Sequence, residues 1–276
     1  MFYKTQVERY REMGFAVLKN AFEPTLVESV FNEVCDVFRP ILKYHGIVSP
    51  EIIGDEFEDA LAKLFCQDMS AYLSTAKAVQ LTPGLHALGA HPTMINLVRS
   101  FGIAQPLIAV RPVVHILSDK LRVNQGYHRT PPHQDWRSVQ GSLDSLVVWL
   151  PLVSINRGFG AMEVIPGSHL EGLLETRRDP FGNVIDASLI DGKRFVPVEV
   201  DPGDAIVFSM FTVHRTGTEQ RSGIRWAASF RYNNAAAPDY VSHGYPDPFI
   251  YKSQDELLID GFPTLEEVRA TFLKLD

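Results

Sequence analysis

Apolar residues recur at helical spacing through the first hundred positions of the chain. After Pro24, which suits the first turn of a helix, Val27, Val30, Phe31 and Val34 fall three or four residues apart. Further helices are predicted over 3–13, over 56–77 and from Pro92 to near Gly102, with a short apolar strand at 15–18. The first hundred residues therefore predict mostly helix.

From Pro106 onward the pattern changes to short β-branched and apolar runs separated by Gly/Pro turns. Strands are predicted over 107–110, 113–117, 146–152, 161–165, 195–200, 205–211 and 224–232. Many short strands of this kind indicate a sandwich or a jelly-roll barrel. Helices first and strands second predict an α+β fold, mainly β in its core, with the N-terminal helices packed outside the barrel.

The end of the chain is predicted to be helical again. Thr264 and Glu267 have the spacing of a capping box, which indicates a helix start. No internal repeat, low-complexity segment or clear linker divides the sequence. We therefore expect a single domain over 1–276, with mostly helical support at 1–105, a β core at 106–232 and a C-terminal extension at 233–276.

The composition of the chain is that of a globular protein and argues against several other classes of protein. The chain has 276 residues, of which 45% are hydrophobic and 21% charged, as in globular proteins. The net charge of −7 argues against nucleic acid or an anionic membrane as a partner. No secretory signal and no apolar run of about 20 residues is apparent. Cys35 and Cys66 are expected to be buried free thiols. A cytoplasmic enzyme of undefined oligomeric state is the default.

Candidate chemistry begins with an H-x-D motif at His133 and Asp135. The motif is weak by itself, because His169 and Glu171 have the same spacing. Context separates the two. Prolines before His133 favour an extended backbone, in which residues two apart point the same way and Gln134 points opposite. His169 instead follows a Pro-Gly-Ser turn, where a histidine is usually a local hydrogen-bonding residue.

The last predicted strand carries two contrasting faces. One face is Ile224, Trp226, Ala228, Phe230 and Tyr232; the other is Arg225, Ala227, Ser229 and Arg231. The polar face suits the wall of a ligand cavity, and it suits a solvent-exposed face equally well. Arg225 follows His214 by eleven positions, and an arginine can grip a carboxylate with two parallel hydrogen bonds.

Taken in order, several stretches resemble the phytanoyl-CoA dioxygenase superfamily of Fe(II)/2-oxoglutarate-dependent oxygenases. The matching stretches are 14–18, 132–135, 149–152, 160–169, 202–204 and 214–225. Their order and spacing are more specific than any one motif. The resemblance implies a double-stranded β-helix core of the jelly-roll or cupin-like type. It also implies that His169 lies in a structural turn and is not a ligand.

The resemblance further implies a role for individual residues. The expected iron ligands are His133, Asp135 and His214. Arg225 would pair with the distal carboxylate of 2-oxoglutarate, Thr216 would help through its hydroxyl where the family often has serine, and Trp149 would line the cosubstrate pocket. Fe(II) is then the cofactor, and 2-oxoglutarate and O2 are cosubstrates. Two imidazoles and one carboxylate leave three metal positions free for them.

The implied reaction is hydroxylation of a small molecule with release of succinate and CO2, and the sequence does not distinguish it from desaturation or ring-forming oxidation. A glycine or alanine at 135 would instead indicate a halogenase. The cations Lys120, Arg122, Arg129 and Arg137 would suit an anionic substrate, although a solvated charged loop is the commoner setting for such residues. Tyr127, His128, Trp136 and Phe159 are candidate pocket walls or ordinary packing. The alternatives are a non-catalytic metal- or ligand-binding β-barrel of this fold, or a Zn(II) enzyme in which Arg225 has no evident role.

Overall fold

The computed structural model describes residues 3–121, 129–179, 182–218, 223–245 and 258–273. Arg122, Tyr127 and His128 lie outside these residues. The helices are α1 (Lys4–Met13), α2 (Pro24–Asp36), α3 (Phe38–Tyr44), α4 (Asp55–Gln67), α5 (Met69–Ala78), α6 (Pro83–Gly89), α7 (Pro92–Ser100), α8 (Pro238–Ser242) and α9 (Leu265–Leu273). The first seven precede the main strands, as the sequence predicts.

Local chemistry sets the helix ends. Gly14 ends α1 with φ 80, a left-handed conformation that favours glycine, and its N–H donates to the Tyr10 carbonyl at 2.8 Å. The single helix predicted over 56–77 is wrong. The chain breaks at Asp68, whose side chain accepts a hydrogen bond from the Ala71 N–H and so caps α5. At the other end, Thr264 and Glu267 form the predicted capping box before α9.

The strands are short except for the last. They are β1 (Phe15–Leu18), β2 (Pro106–Ile108), β3 (Val113–Leu117), β4 (Leu146–Pro151), β5 (Met162–Val164), β6 (Thr176–Asp179), β7 (Gly182–Ile185), β8 (Val196–Val198), β9 (Ala205–Ser209), β10 (His214–Thr216) and β11 (Arg225–Asn234). Strand β10 and the β6–β7 hairpin were not predicted, because their polar residues lack an apolar alternation.

Six strands form the larger sheet, in the order β1-β9-β4-β11-β2, with β3 also paired to β11. All of these pairs are antiparallel. Every residue of β11 is buried, so the solvent-exposed interpretation of its polar face is wrong. Its aromatic residues pack in the core, where Trp226 meets Phe31 of α2 at 5.5 Å. The helices thus cover one face of this sheet and leave the other face to the site.

The smaller sheet has the order β10-β5-β8. Its apolar residues join the same hydrophobic core as the helices, the larger sheet and α9. The α+β class with a mainly antiparallel β core is confirmed, and the two sheets do not close into a continuous hydrogen-bonded barrel among the described residues. The division into one domain with three segments stays a prediction. Both cysteines are free, but Cys66 is exposed, so its predicted burial is wrong.

His169 connects the N-terminal and C-terminal helices and lies outside the H-x-D site. Its Nε2 is 2.9 Å from the Arg11 carbonyl, and its ring meets Phe272 of α9 edge-on at 4.5 Å. A side chain at Gly14 would collide with this ring, because its Cβ would lie 2.5 Å from Nδ1. Burial lowers the pKa of His169 below its ordinary value, and the opposing effect of the Arg11 carbonyl is smaller.

Protonating His169 is therefore expected to destabilise the fold. Because its pKa is lower in the folded than in the unfolded chain, stability is lost as pH falls below the usual histidine value of about 6.5, by at most about 1.4 kcal/mol per pH unit. Unfolding free energies at about pH 7.5 and about pH 5.5 should differ less in His169→Gln than in the wild type. The control is His86→Gln, at an exposed histidine. If the difference in unfolding free energy between the two pH values were the same in His169→Gln and His86→Gln, His169 would not be the group that destabilises the fold at low pH.

Candidate metal and cosubstrate site

A two-way backbone bridge brings the H-x-D segment to β10. The His133 N–H donates to the His214 carbonyl at 3.0 Å, and the His214 N–H donates to the His133 carbonyl at 3.1 Å. Residues paired in this way in an antiparallel ladder project their side chains to the same face. The two imidazole rings accordingly lie 4.1 Å apart between centroids, and Phe208 of β9 packs on His214 at 4.7 Å.

Asp135 completes a group of three. Its carboxylate lies on the same side as the His133 ring, as the extended backbone predicts, and Oδ1 is 3.5 Å from His133 Nε2. One ligand atom from each of His133, Asp135 and His214 lies within 4.8 Å of the others. Metal–imidazole bonds of about 2 Å put adjacent ligand atoms about 3 Å apart, so small side-chain movements suffice to bind one ion.

Hydrogen bonds at the far side of each ring select the atoms that face the site. Nδ1 of His133 is 2.9 Å from the Pro131 carbonyl, and Nδ1 of His214 is 3.0 Å from the Thr212 carbonyl. A carbonyl oxygen only accepts, so each Nδ1 carries the hydrogen and each Nε2 keeps a free lone pair. Metal-binding histidines are held in this way by a second hydrogen bond.

Arg231 holds the far side of Asp135. Burial raises the pKa of the Asp135 carboxyl, but Arg231 and the two histidines lower it more, so that the pKa lies well below its ordinary value. Burial and the neighbouring His133 lower the pKa of His214 to about 3. Asp135 is therefore ionised and His214 neutral near neutral pH, which are the protonation states that a metal ligand needs.

Arg225 is buried on the same face of β11 as Arg231 and has an incomplete set of partners. Its side chain is 4% exposed, and Nη1 donates to the Gly160 carbonyl at 2.8 Å. Its Nε is buried without a hydrogen-bond partner, and no carboxylate pairs with it among the described residues. Burial, followed by the charge of Arg129, lowers the pKa of Arg225 to about 10. A buried guanidinium with a free donor fits an anionic ligand such as a carboxylate.

Trp149 and Thr216 lie on the inward faces of their strands. Trp149 stands opposite Ser229 in the β4–β11 register, and its ring centroid is 5.7 Å from the Arg225 guanidinium carbon. Thr216 is two residues from His214 on β10 and is buried. Its Oγ1 accepts a hydrogen bond from the Thr130 N–H at 3.1 Å and can still donate its own hydrogen.

The charged residues near the motif have partners of their own. Lys120 pairs with Asp59 at 2.5 Å, Arg129 lies 3.6 Å from Asp119, and Arg137 donates to the Leu174 carbonyl at 3.0 Å. These contacts lend no support to a positively charged mouth. Trp136 is 0% exposed and stacks on Phe211 at 5.5 Å, so it is packing rather than a pocket wall.

Two functional features escaped sequence reasoning. His115 of β3 lies with Nε2 2.9 Å from Ser229 Oγ, and Ser229 in turn accepts a hydrogen bond from Arg231. The position of His115 in an otherwise apolar strand was the available signal. Gln134, which points away from the site, donates to the Gly172 and Phe211 carbonyls and accepts from the Leu174 N–H. It thereby holds the motif against two loops.

The sequence model of the phytanoyl-CoA dioxygenase family matches residues 10–227, most of the chain. The chain belongs to the phytanoyl-CoA dioxygenase family. A "Probable phytanoyl-CoA dioxygenase" of Caenorhabditis elegans is 23% identical over 246 residues, covering 84% of this chain and 76% of the relative.

Several solved structures with the same fold are non-haem enzymes. The α-ketoglutarate-dependent carbocyclase SnoK from nogalamycin biosynthesis is 20% identical with a TM-score of 0.58, covering 87% of this chain and 90% of its own. The epimerase SnoN in complex with Fe3+, α-ketoglutarate and nogalamycin RO is 18% identical with a TM-score of 0.59, covering 95% and 92%. EctD from S. alaskensis, with 2-oxoglutarate and 5-hydroxyectoine, is 17% identical with a TM-score of 0.54, covering 84% and 76%. These likenesses confirm the predicted fold class.

As a member of the phytanoyl-CoA dioxygenase family, the chain is a 2-oxoglutarate-dependent non-haem iron oxygenase, with Fe(II) as cofactor and 2-oxoglutarate and O2 as cosubstrates. The expectation of an enzyme is confirmed, and the non-catalytic alternative is not supported. None of the described helices combines the length and apolarity needed to cross a bilayer. The cytoplasmic compartment stays a prediction.

Replacing Gln134 by leucine should destabilise the protein, because two buried carbonyls and one N–H would lose their partner. We expect the unfolding free energy to fall by at least about 2 kcal/mol, from a cost of about 1–3 kcal/mol for each buried group left without a partner. Denaturant unfolding measures this change, and exposed Gln105→Leu is the control. A variant as stable as the wild type would contradict this structural role.

Proposed function

We propose that this oxygenase binds Fe(II) through His133 Nε2, His214 Nε2 and one oxygen of Asp135, and hydroxylates a small molecule with release of succinate and CO2. The observation that carries the proposal is the convergence of these ligand atoms, which lie within 4.8 Å of one another. The atom of each residue that faces away from the metal position is hydrogen-bonded, Nδ1 of each histidine to a carbonyl and Oδ2 of Asp135 to the Arg231 guanidinium. Two histidines and a carboxylate with open positions are typical of non-haem Fe(II) oxygenases.

The proposed cosubstrate position lies between this group and Arg225. The guanidinium would pair with the distal carboxylate of 2-oxoglutarate, and its partnerless Nε supplies a donor for that carboxylate. Thr216 would donate its hydroxyl hydrogen to the same anion, and Trp149 would cover it, since its ring already lies 5.7 Å from the guanidinium. A Zn(II) hydrolase would leave this arginine without a role.

When bound, iron, 2-oxoglutarate and O2 would together supply the oxidant, one oxygen atom of O2 going into succinate as CO2 is released and the other being available for the substrate. The residues of the chain orient these groups and exclude water from them. Phe208 against His214 and Trp149 beside Arg225 provide apolar walls, which strengthen the electrostatic contacts of the enclosed site. A carboxylate at Asp135 leaves no room for a halide ligand, so the proposal is hydroxylation rather than halogenation.

The substrate class rests on the fold relatives. SnoN was solved with nogalamycin RO and EctD with 5-hydroxyectoine, both small molecules. A small-molecule substrate therefore fits this chain best. An anionic substrate stays a prediction, because the described cations near the motif already have partners. A metabolite screen that measures substrate-stimulated succinate release would identify the compound.

Anaerobic addition of Fe(II) and 2-oxoglutarate should produce a visible charge-transfer band, and O2 should then give slow succinate formation. His133→Ala should abolish both. Arg225→Met should weaken 2-oxoglutarate binding by about 100-fold, because hydrogen bonds to charged groups contribute about 1.5–3 kcal/mol each. The control is Lys19→Met, which removes the cation of an ion pair with Asp204 that lies outside the proposed site. An Arg225→Met enzyme with the wild-type 2-oxoglutarate requirement would contradict the cosubstrate assignment.

The role of Thr216 has a separate test. Thr216→Val removes the hydroxyl at nearly constant volume, whereas Thr216→Ser keeps it. We expect the valine variant to need about tenfold more 2-oxoglutarate, equivalent to one hydrogen bond of about 1.4 kcal/mol, and the serine variant to resemble the wild type. Equal 2-oxoglutarate dependence in the two variants would show that the hydroxyl does not contact the cosubstrate.

A further inference from the structure

We propose that Arg231 is a positioning residue that makes Asp135 bind the metal through one oxygen only. The inference rests on the proposed function, because it takes Asp135 as a metal ligand. Arg231 follows Arg225 on the inward face of β11, but the two arginines face different groups. Arg225 donates to the Gly160 carbonyl, whereas Arg231 is directed at the carboxylate of Asp135.

Both contacts of the Arg231 fork reach the same carboxylate oxygen. Nε and Nη2 each lie 3.0 Å from Oδ2 of Asp135. The other oxygen, Oδ1, is the one that faces His133 Nε2 at 3.5 Å. The usual bidentate pair places one nitrogen on each carboxylate oxygen. Here the guanidinium instead divides the carboxylate into a protein-facing oxygen and a site-facing oxygen.

The lone pairs of the carboxylate give this division a chemical consequence. Arg231 Nε donates a hydrogen bond to Oδ2, and Nη2 lies at ion-pair distance from the same atom, so Arg231 competes with a metal for the lone pairs of Oδ2. Oδ1 is then the oxygen more available to the metal. If both oxygens bound, Asp135 would occupy an additional metal position. The site has three open positions, and two for 2-oxoglutarate plus one for O2 use all of them.

Arg231 is itself held in place. Its side chain is 3% exposed in the interior, and Nη1 donates to Ser229 Oγ at 3.1 Å. Ser229 Oγ lies 2.9 Å from His115 Nε2 on β3. The guanidinium is thus anchored from β11 and β3 while it grips the H-x-D segment. A buried arginine in a fixed geometry suits the orientation of a ligand better than a flexible lysine.

The proposal predicts that Arg231 affects 2-oxoglutarate binding only when the metal is present. In Arg231→Met, Asp135 is free to use both oxygens, so only two of the three open positions remain and the second carboxylate oxygen competes with 2-oxoglutarate for them. We expect the affinity of the Fe(II)-loaded protein for 2-oxoglutarate to fall by about 10–100-fold, the range by which removing a group that orients a metal ligand usually lowers metal affinity or activity. The charge-transfer band should also shift, because the coordination of iron changes.

The experiment is an anaerobic titration with 2-oxoglutarate. Binding to the Fe(II)-loaded protein is measured through the charge-transfer band, and binding to the metal-free protein is measured by calorimetry. Arg231→Lys should be affected less than Arg231→Met, since an ammonium can still occupy Oδ2. Ser229→Ala should change affinity in the same direction by a smaller factor. Lys19→Met is the matched control, because it also removes a cation from a buried aspartate, Asp204, away from the cavity.

Wild-type affinity and an unshifted band in folded Arg231→Met would overturn the proposal. If Arg231→Met does not fold, wild-type behaviour of both Arg231→Lys and Ser229→Ala would overturn it equally. An equal loss of affinity in the metal-free protein would also contradict it, because that indicates general disruption of the pocket. A wild type that gives no band, or a His133→Ala variant that keeps it, would instead contradict the metal assignment of the proposed function.

Discussion

The site depends on the two reciprocal backbone hydrogen bonds between His133 and His214. They join a segment outside the named strands to the edge strand of the smaller sheet. Because the residues are directly paired, their rings project together, and the extended backbone then carries Asp135 to the same side. A shift of the H-x-D segment by one residue against β10 would turn His133 and Asp135 to the face opposite His214. Gln134 opposes such a shift by bonding three backbone groups on the opposite side.

A second constraint is the burial of charge. The inward face of β11 carries two arginines in an interior position, where an unpaired charge is costly. Arg231 is compensated by Asp135. Arg225 has only a carbonyl partner, and its Nε has none. The protein therefore keeps one buried cation that a ligand can neutralise, and the aromatic face of the same strand supplies the packing that holds it there.

Much of this arrangement could be predicted from sequence. Alternation along β11 separated its polar face from its aromatic face, and the extended approach to His133 predicted a shared face for His133 and Asp135. The meeting of these segments followed from the resemblance to a family and not from spacing alone. The resemblance also identified His169 as a turn residue, and in the structure its ring packs between α1 and α9.

The rest depended on contacts that local patterns do not contain. The break at Asp68 follows from one side-chain cap within a continuous apolar stripe. The choice of Asp135 as the partner of Arg231 depends on the register between β11 and a segment far away in the chain. The role of His115 depends on its cross-strand position opposite Ala227. Such tertiary choices are invisible to propensity and periodicity, because several registers would satisfy the same pattern.

The most direct test of iron binding by His133, Asp135 and His214 is a crystal structure of the Fe(II)-loaded enzyme. The crystals are grown without O2, and the iron is located by its anomalous scattering. We expect one iron about 2 Å from His133 Nε2, His214 Nε2 and Asp135 Oδ1, with Oδ2 still bound by Arg231. An iron bound elsewhere, or one that lacks either imidazole, would contradict it.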